Sequence, residues 1–126
     1  MYLKSINPST GHEIEKYKVF SNAEIQEILE DVHSTQINWK QTNLEFRLDC
    51  LDEMIGVLKD GKREFALLMA HEMGKPITQA EGEVEKCIWL SKYYHDNSLQ
   101  FLKDKIIRND THKCVVTIQP LGLILG

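Results

Sequence analysis

Lys62-Arg63-Glu64-Phe65-Ala66-Leu67-Leu68-Met69-Ala70-His71-Glu72-Met73-Gly74-Lys75-Pro76-Ile77 is the stretch on which the organisation of this chain turns. Phe65, Leu68, Met69 and Glu72 return at three- and four-residue spacing, which puts them on one side of a helix over 62–73. Gly74 stands where a helix end calls for a left-handed residue. Pro76 then suits the first turn of a following helix, where its missing amide would have had no partner anyway. The apolar positions of that next helix are Ile77, Ala80, Val84, Cys87 and Ile88, running on through the small Ser91 to Tyr94 and toward Leu102. Upstream, Gly61 breaks the pattern, and Leu44, Leu48, Leu51, Ile55 and Leu58 predict a helix ending near Asp60, opened by a capping box at Thr42-Asn43-Leu44-Glu45. Another capping box, Ser21-Asn22-Ala23-Glu24, with Phe20 and Ile25 spaced as a hydrophobic staple, opens a helix with a buried stripe of Ile25, Ile28, Leu29 and Val32 that Ile37 and Trp39 continue.

The ends of the chain read differently. Between Tyr2 and Phe20 the turn signal Asn7-Pro8-Ser9-Thr10-Gly11 separates short runs, the second holding Ile14, Tyr17 and Val19 among charges, which suits a surface hairpin. After Lys105, Ile106-Ile107, a turn at Asn109-Asp110 and the β-branched run Cys114-Val115-Val116-Thr117-Ile118 predict paired strands. Leu121-Gly122-Leu123-Ile124-Leu125-Gly126 reads as a buried strand of a parallel sheet, which needs neighbours on both sides. The expectation is therefore a mostly helical chain with an N-terminal hairpin, four helices and C-terminal strands, forming an incomplete domain that stops inside a core strand. No repeat, low-complexity tract or linker divides residues 1–126.

Composition narrows the function classes. The 126 residues are 42% hydrophobic and carry a formal charge of -4. The basic residues are scattered, so no stripe for a phosphate backbone forms and nucleic acid is not expected as a partner. No apolar run approaches the roughly 20 residues of a membrane span, and Met1–Asn7 lacks the apolar core of a secretory signal, so a soluble cytoplasmic protein is expected. Cys50, Cys87 and Cys114 are far apart and odd in number, which favours reduced thiols over a disulfide framework.

Each candidate chemical group meets a simpler reading. His71-Glu72 begins a zinc-protease pattern, but position 75 is Lys, and a histidine near a helix end is the plainer account. His112 and Cys114 lack a second ligand pair at zinc-site spacing. Cys87 on an apolar helix face and Cys114 in a strand are expected to be buried structural thiols. Glu81, Glu83 and Glu85 splay apart at two-residue spacing, which suits a solvated acidic surface better than an acid–base pair. Trp39, Trp89 and Tyr93-Tyr94 could stack a ligand, but packing is the commoner use of aromatics on amphipathic helices. Gly122 and Gly126 do not complete a phosphate-binding motif. No catalytic, cofactor-binding or metal-binding residue is assigned.

Five pieces in order carry a family resemblance: Asn7-Pro8-Ser9-Thr10-Gly11, Trp39 with Arg47, Glu72-Met73-Gly74-Lys75-Pro76, Glu83-Val84, and Gln119-Pro120-Leu121-Gly122. Together they resemble the opening part of the NAD(P)-dependent aldehyde dehydrogenase superfamily over essentially the whole chain. The text around Glu85-Lys86-Cys87, Tyr93-Tyr94 and 119–126 looks most like bacterial succinate-semialdehyde dehydrogenases. The resemblance implies an α/β parent enzyme in which a cysteine thiolate attacks an aldehyde, hydride passes to NAD or NADP, and activated water releases the acid.

None of those catalytic residues matches a position here, and the three cysteines do not fit the nucleophile's motif. The resemblance implies scaffolding instead: helices that pack on a nucleotide-binding domain, and strands near Ile106 to Gln119 that add to a sheet joining subunits of a homo-oligomer. Residues 1–126 are thus expected to be an N-terminal segment cut before the cofactor-binding and catalytic motifs, inactive alone and binding no cofactor, with the aldehyde and the nicotinamide cofactor belonging to the intact enzyme. The alternative is a non-catalytic helical interaction or oligomerisation module, which would hide Leu123, Ile124 and Leu125; a small ligand-binding bundle lacks a convergent polar set.

Overall fold

In a computed structural model, which describes residues 1–108 and 112–125, the chain runs β1 (Tyr2–Ile6), β2 (Glu13–Lys18), α1 (Asn22–Trp39), α2 (Leu44–Asp60), α3 (Lys62–Met73), α4 (Ile77–Phe101), β3 (Lys105–Arg108) and β4 (Lys113–Val116). Each strand pair is antiparallel, with Leu3 opposite Tyr17 in the first and Ile107 opposite Cys114 in the second. The β1–β2 turn is built by Asn7, whose side-chain oxygen accepts from the amides of Ser9 (2.9 Å) and Thr10 (3.3 Å). Gly11 closes it at φ 72°, a conformation that costs a side-chain-bearing residue. Lys4 and Lys16 face each other across the ladder, and Glu13 reaches both, at 2.8 and 3.1 Å. That double pairing holds the Glu13 carboxyl below the usual carboxylate range, with Lys4 the larger cause.

The reading of α1 holds at its start and fails along its face. The Ser21–Glu24 capping box forms, the Glu24 carboxylate accepting from the Ser21 amide at 2.7 Å and from the Lys18 ammonium at 2.6 Å. Those partners, Lys18 foremost, draw the Glu24 carboxyl below its ordinary value. The expected buried stripe is not buried: α1 contains no buried residue, and Ile25, Ile28, Leu29 and Val32 are all exposed. The spacing of these residues is that of an amphipathic helix, but no described element covers them.

The second capping box shifts by one residue. Thr42 does not cap α2, because its hydroxyl donates to the Trp39 carbonyl at 2.7 Å and so closes α1. Asn43 caps α2, accepting from the Phe46 amide at 2.8 Å. Gly61 ends α2 and begins α3 without a side-chain cap. Gly74 ends α3 at φ 69° as expected, while Pro76 stands one residue earlier than predicted, as the residue preceding α4 rather than in its first turn.

The core lies where α2, α3 and α4 meet. Its buried residues are Ile55, Ala66, Ala80 and Val84. The two alanines let the helices approach closely, and neither Leu68, Cys87 nor Tyr94, expected on buried faces, is covered. Cys114 is exposed too and Cys50 only part-buried, so the reading of Cys87 and Cys114 as buried thiols is corrected. Glu81, Glu83 and Glu85 splay over the surface as expected, and each meets its own basic partner. Glu81 pairs with Arg63 at 2.5 Å, Glu85 with Lys62 and Glu83 with Lys75, so alternate positions of α4 reach the start of α3 and the link that follows it. The Glu85 carboxylate raises the Lys62 ammonium above the ordinary lysine range.

The last stretch also departs from expectation. β4 stops at Val116, and 117–125 contain neither helix nor strand. A parallel-sheet strand takes its hydrogen bonds from neighbours, and no described strand lies beside this segment. Leu121, Ile124 and Leu125 are 94%, 81% and 100% exposed. The turn expected at Asn109-Asp110 lies outside the described residues, as does Gly126. The whole chain exposes 10510 Å², against about 6,900 Å² for a compact folded chain of its mass.

Candidate functional site

Two of the sequence pieces that stand far apart in the chain meet in space. The Ser5 hydroxyl donates to Glu72 Oε1 at 2.6 Å, a part-buried contact tying β1 to the end of α3. Beside it the Pro8 ring packs over Gly74, so closely that a Cβ added at Gly74 would stand 3.0 Å from Pro8 Cγ. Gly74 thus meets two demands at once, a left-handed backbone and room for a proline. The Asn7–Gly11 turn and the Glu72–Pro76 bend form one structural joint.

A second meeting point brings Arg47 to Gln119-Pro120. Leu44 and Arg47, on the first turns of α2, line a cleft of about 470 Å³ together with Lys40, Leu102, Ile118, Gln119 and Pro120. Arg47 Nε is buried and has no hydrogen-bond partner. Neither Lys40 nor Arg47 forms an ion pair among the described residues, and no acidic side chain lines the cleft. Sequence reading singled out Arg47 only through its family resemblance. It missed Lys40, because nothing in local spacing shows that 118–120 folds back onto α2.

The remaining candidates stay separate. His71 and Cys87 are exposed, and no cluster of three metal-ligating side chains occurs among the described residues. Trp89 and Tyr93 stack at 6.0 Å and Phe101 joins Tyr93 at 5.9 Å, forming an exposed aromatic strip along α4. Trp39 packs edge-on against Phe46 at 6.0 Å. A second groove of about 340 Å³ runs between Val32, Gln36 and Trp39 of α1 and Leu123-Ile124. No helix of the described residues is long and apolar enough to cross a membrane.

The joint and the cleft use the same pieces that carried the resemblance, and the model of the aldehyde dehydrogenase family matches residues 1–126. The chain belongs to the aldehyde dehydrogenase family. Among curated relatives, a protein of Synechocystis sp. described as a probable NADP(+) succinate-semialdehyde dehydrogenase is 31% identical over all of this chain and 28% of its own length. The Escherichia coli K12 succinate semialdehyde dehydrogenase Sad, described as NAD(P)+-linked, is 31% identical over 97% of this chain and 26% of its own. The crystal structure of succinic semialdehyde dehydrogenase from Streptococcus pyogenes with NADP+ superposes at a TM-score of 0.85 and 25% identity, covering 93% of this chain and 26% of that one. The aldehyde dehydrogenase-family chain thus spans about a quarter of the length of these relatives.

The fold is that of part of an α/β aldehyde dehydrogenase domain, in its helical portion. The described residues do not fit a nicotinamide dinucleotide. Gly122 has φ 104°, but it lies in irregular chain rather than in a turn between a strand and a helix. No step of hydride transfer is therefore derived from these residues.

Proposed function

We propose that residues 1–126 are an N-terminal scaffold segment of an NAD(P)-dependent aldehyde dehydrogenase that oxidises succinate semialdehyde to the acid, and that the segment alone is inactive. The observation that carries this reading is the distribution of burial. Among the described residues four hydrophobic side chains are buried, while α1, α4 and 121–125 leave apolar faces open. Contiguous exposed apolar faces mark surfaces that another part of a protein covers. The remaining three-quarters of a family chain is the cover that fits, since the relatives' own lengths exceed the matched region by that much. The exposure of Leu123, Ile124 and Leu125 weighs against a self-contained interaction module, which would hide them.

In this reading the chain supplies position and support rather than reacting groups. The Ser5–Glu72 and Pro8–Gly74 joint fixes the hairpin on α3, and α2–α4 present their outer faces to the nucleotide-binding part of the enzyme. The β3–β4 pair extends a sheet between subunits of a cytoplasmic homo-oligomer. NAD or NADP and the aldehyde belong to the intact enzyme. The test is NAD(P)-dependent oxidation of succinate semialdehyde and a panel of short aldehydes by the purified 126-residue chain. No NAD(P)H above a no-protein blank is expected, and turnover above that blank would refute the reading.

A further inference from the structure

We propose that α1 is a docking element that becomes fixed on an apolar groove with a basic rim, and that its partner is the remaining three-quarters of an aldehyde dehydrogenase chain, bound even when supplied as a separate polypeptide. The inference rests on the scaffold reading and adds to it the element that docks, the chemistry that receives it and its independence of a peptide link.

The first support is a helix in place without cover. Ile25, Ile28, Leu29 and Val32 share one side of α1 and are all exposed, and no described element packs on α1 as α4 packs on α2 and α3. Yet the superposition on the Streptococcus pyogenes structure, at a TM-score of 0.85, includes 93% of this chain. The part left out is about nine residues, half of the 18 in α1 at most. The same placement therefore occurs inside a chain of which the matched part is 26%, and the surrounding chain is what can hold it there. A lone helix of this length is marginal in water, so for α1 docking and helix formation are one event.

The second support is the location of the charge. The chain has 19 acidic and 15 basic residues, and α1 holds four of the acids, Glu24, Glu27, Glu30 and Asp31, with no Lys or Arg. The formal charge of -4 is thus the charge of α1, and the rest of the chain is balanced. At about 3.6 residues per turn, Glu24 and Asp31 fall along one edge of the apolar face, while Glu27 and Glu30 stand behind it. Lys18 takes Glu24, but Glu27, Glu30 and Asp31 form no ion pair among the described residues. A groove that covers the apolar side meets Asp31 at its rim, where lysine or arginine attracts and an acidic residue repels.

The partner for the test is Escherichia coli Sad without the region that this chain matches, expressed together with the tagged 126-residue chain; Sad's own matched region, tagged, is the control. Recovery of the Sad remainder through the tag is expected, with exchange of the 22–39 amides slowed at least about tenfold relative to the chain alone. Ile28→Ser should lower the recovered partner about tenfold or more. Asp31→Lys should lower it several-fold, an effect that high sodium chloride reduces. Recovery with Sad's own region but not with this chain overturns the proposal, and failure of both overturns it by showing that the two parts do not meet without a peptide link. Recovery unchanged in Ile28→Ser, or with exchange of 22–39 unaltered, overturns it by assigning the contact to another face. All of these results leave the scaffold reading standing, since that reading falls to turnover by the chain alone.

Discussion

The Ser5 hydroxyl and the Glu72 carboxylate are joined at 2.6 Å across 67 positions of sequence, and this contact sets the hairpin against the end of α3. Ser5→Ala should lower stability by about 1–2 kcal/mol, the net worth of a part-buried hydrogen bond whose partner is left unsatisfied. Glu72→Gln should cost a similar amount, and the double variant should cost less than the sum. Urea midpoints for the two single variants and the double variant measure that coupling.

Glycines at two sites should respond oppositely to alanine. Gly74→Ala places a Cβ in a left-handed conformation and 3.0 Å from Pro8 Cγ, for an expected loss of about 1–2 kcal/mol. Gly82 sits inside α4 with nothing within 4 Å of an added Cβ, so Gly82→Ala should gain up to about 1 kcal/mol from helix propensity. Thermal melts of both variants decide the pair of signs.

Helix positions were legible because their information is local. Gly61, Gly74 and the Ser21–Glu24 box each report on bonds within a few residues, and the boundaries of α2 and α3 follow from them. What the sequence could not show is which apolar faces find cover. Ile28 and Ile55 look alike by periodicity, yet one is 44% exposed and the other 2%, because α2 packs against α4 while α1 has no helix packed on it to that extent. The Thr42 cap failed because its hydroxyl bonds a carbonyl on the preceding helix instead. Of the candidate site, Arg47 was visible through resemblance and Lys40 was not, because the fold-back of 118–120 is tertiary.

That contrast gives a further prediction. Ile55→Ala should cost about 2–4 kcal/mol, the usual range for emptying a packed position. Ile28→Ser should change stability by no more than about 0.5 kcal/mol in this chain, while reducing the binding of an apolar dye. Denaturant titration and dye fluorescence on the two variants separate a packed site from an open one.

Ion pairing shapes the pH response at both ends of the scale. Glu13 and Glu24 hold their protons less readily when folded, by pairing with Lys4 and Lys18 foremost, so their contribution is present above the ordinary carboxylate range and is lost as pH falls through the lowered folded values. Lys62 has the opposite sign. Its pairing with Glu85 contributes below the ordinary lysine range and is lost as pH rises through the raised folded value. Stability should be flat between about pH 5.5 and about pH 10, with shallow shoulders outside that salt flattens, since the pairs are solvent-exposed. Unfolding followed across pH at low and high sodium chloride checks the signs.

Among the described residues only α2–α4 close a core, and the other apolar faces stand open. Hydrogen–deuterium exchange of the 126-residue chain tests it most directly. Slow exchange should be confined to the segments around Ile55, Ala66, Ala80 and Val84, with the amides of 22–39 and 113–125 exchanging close to the rate of an unfolded chain. Protection of α1 equal to that of α4 would contradict the claim.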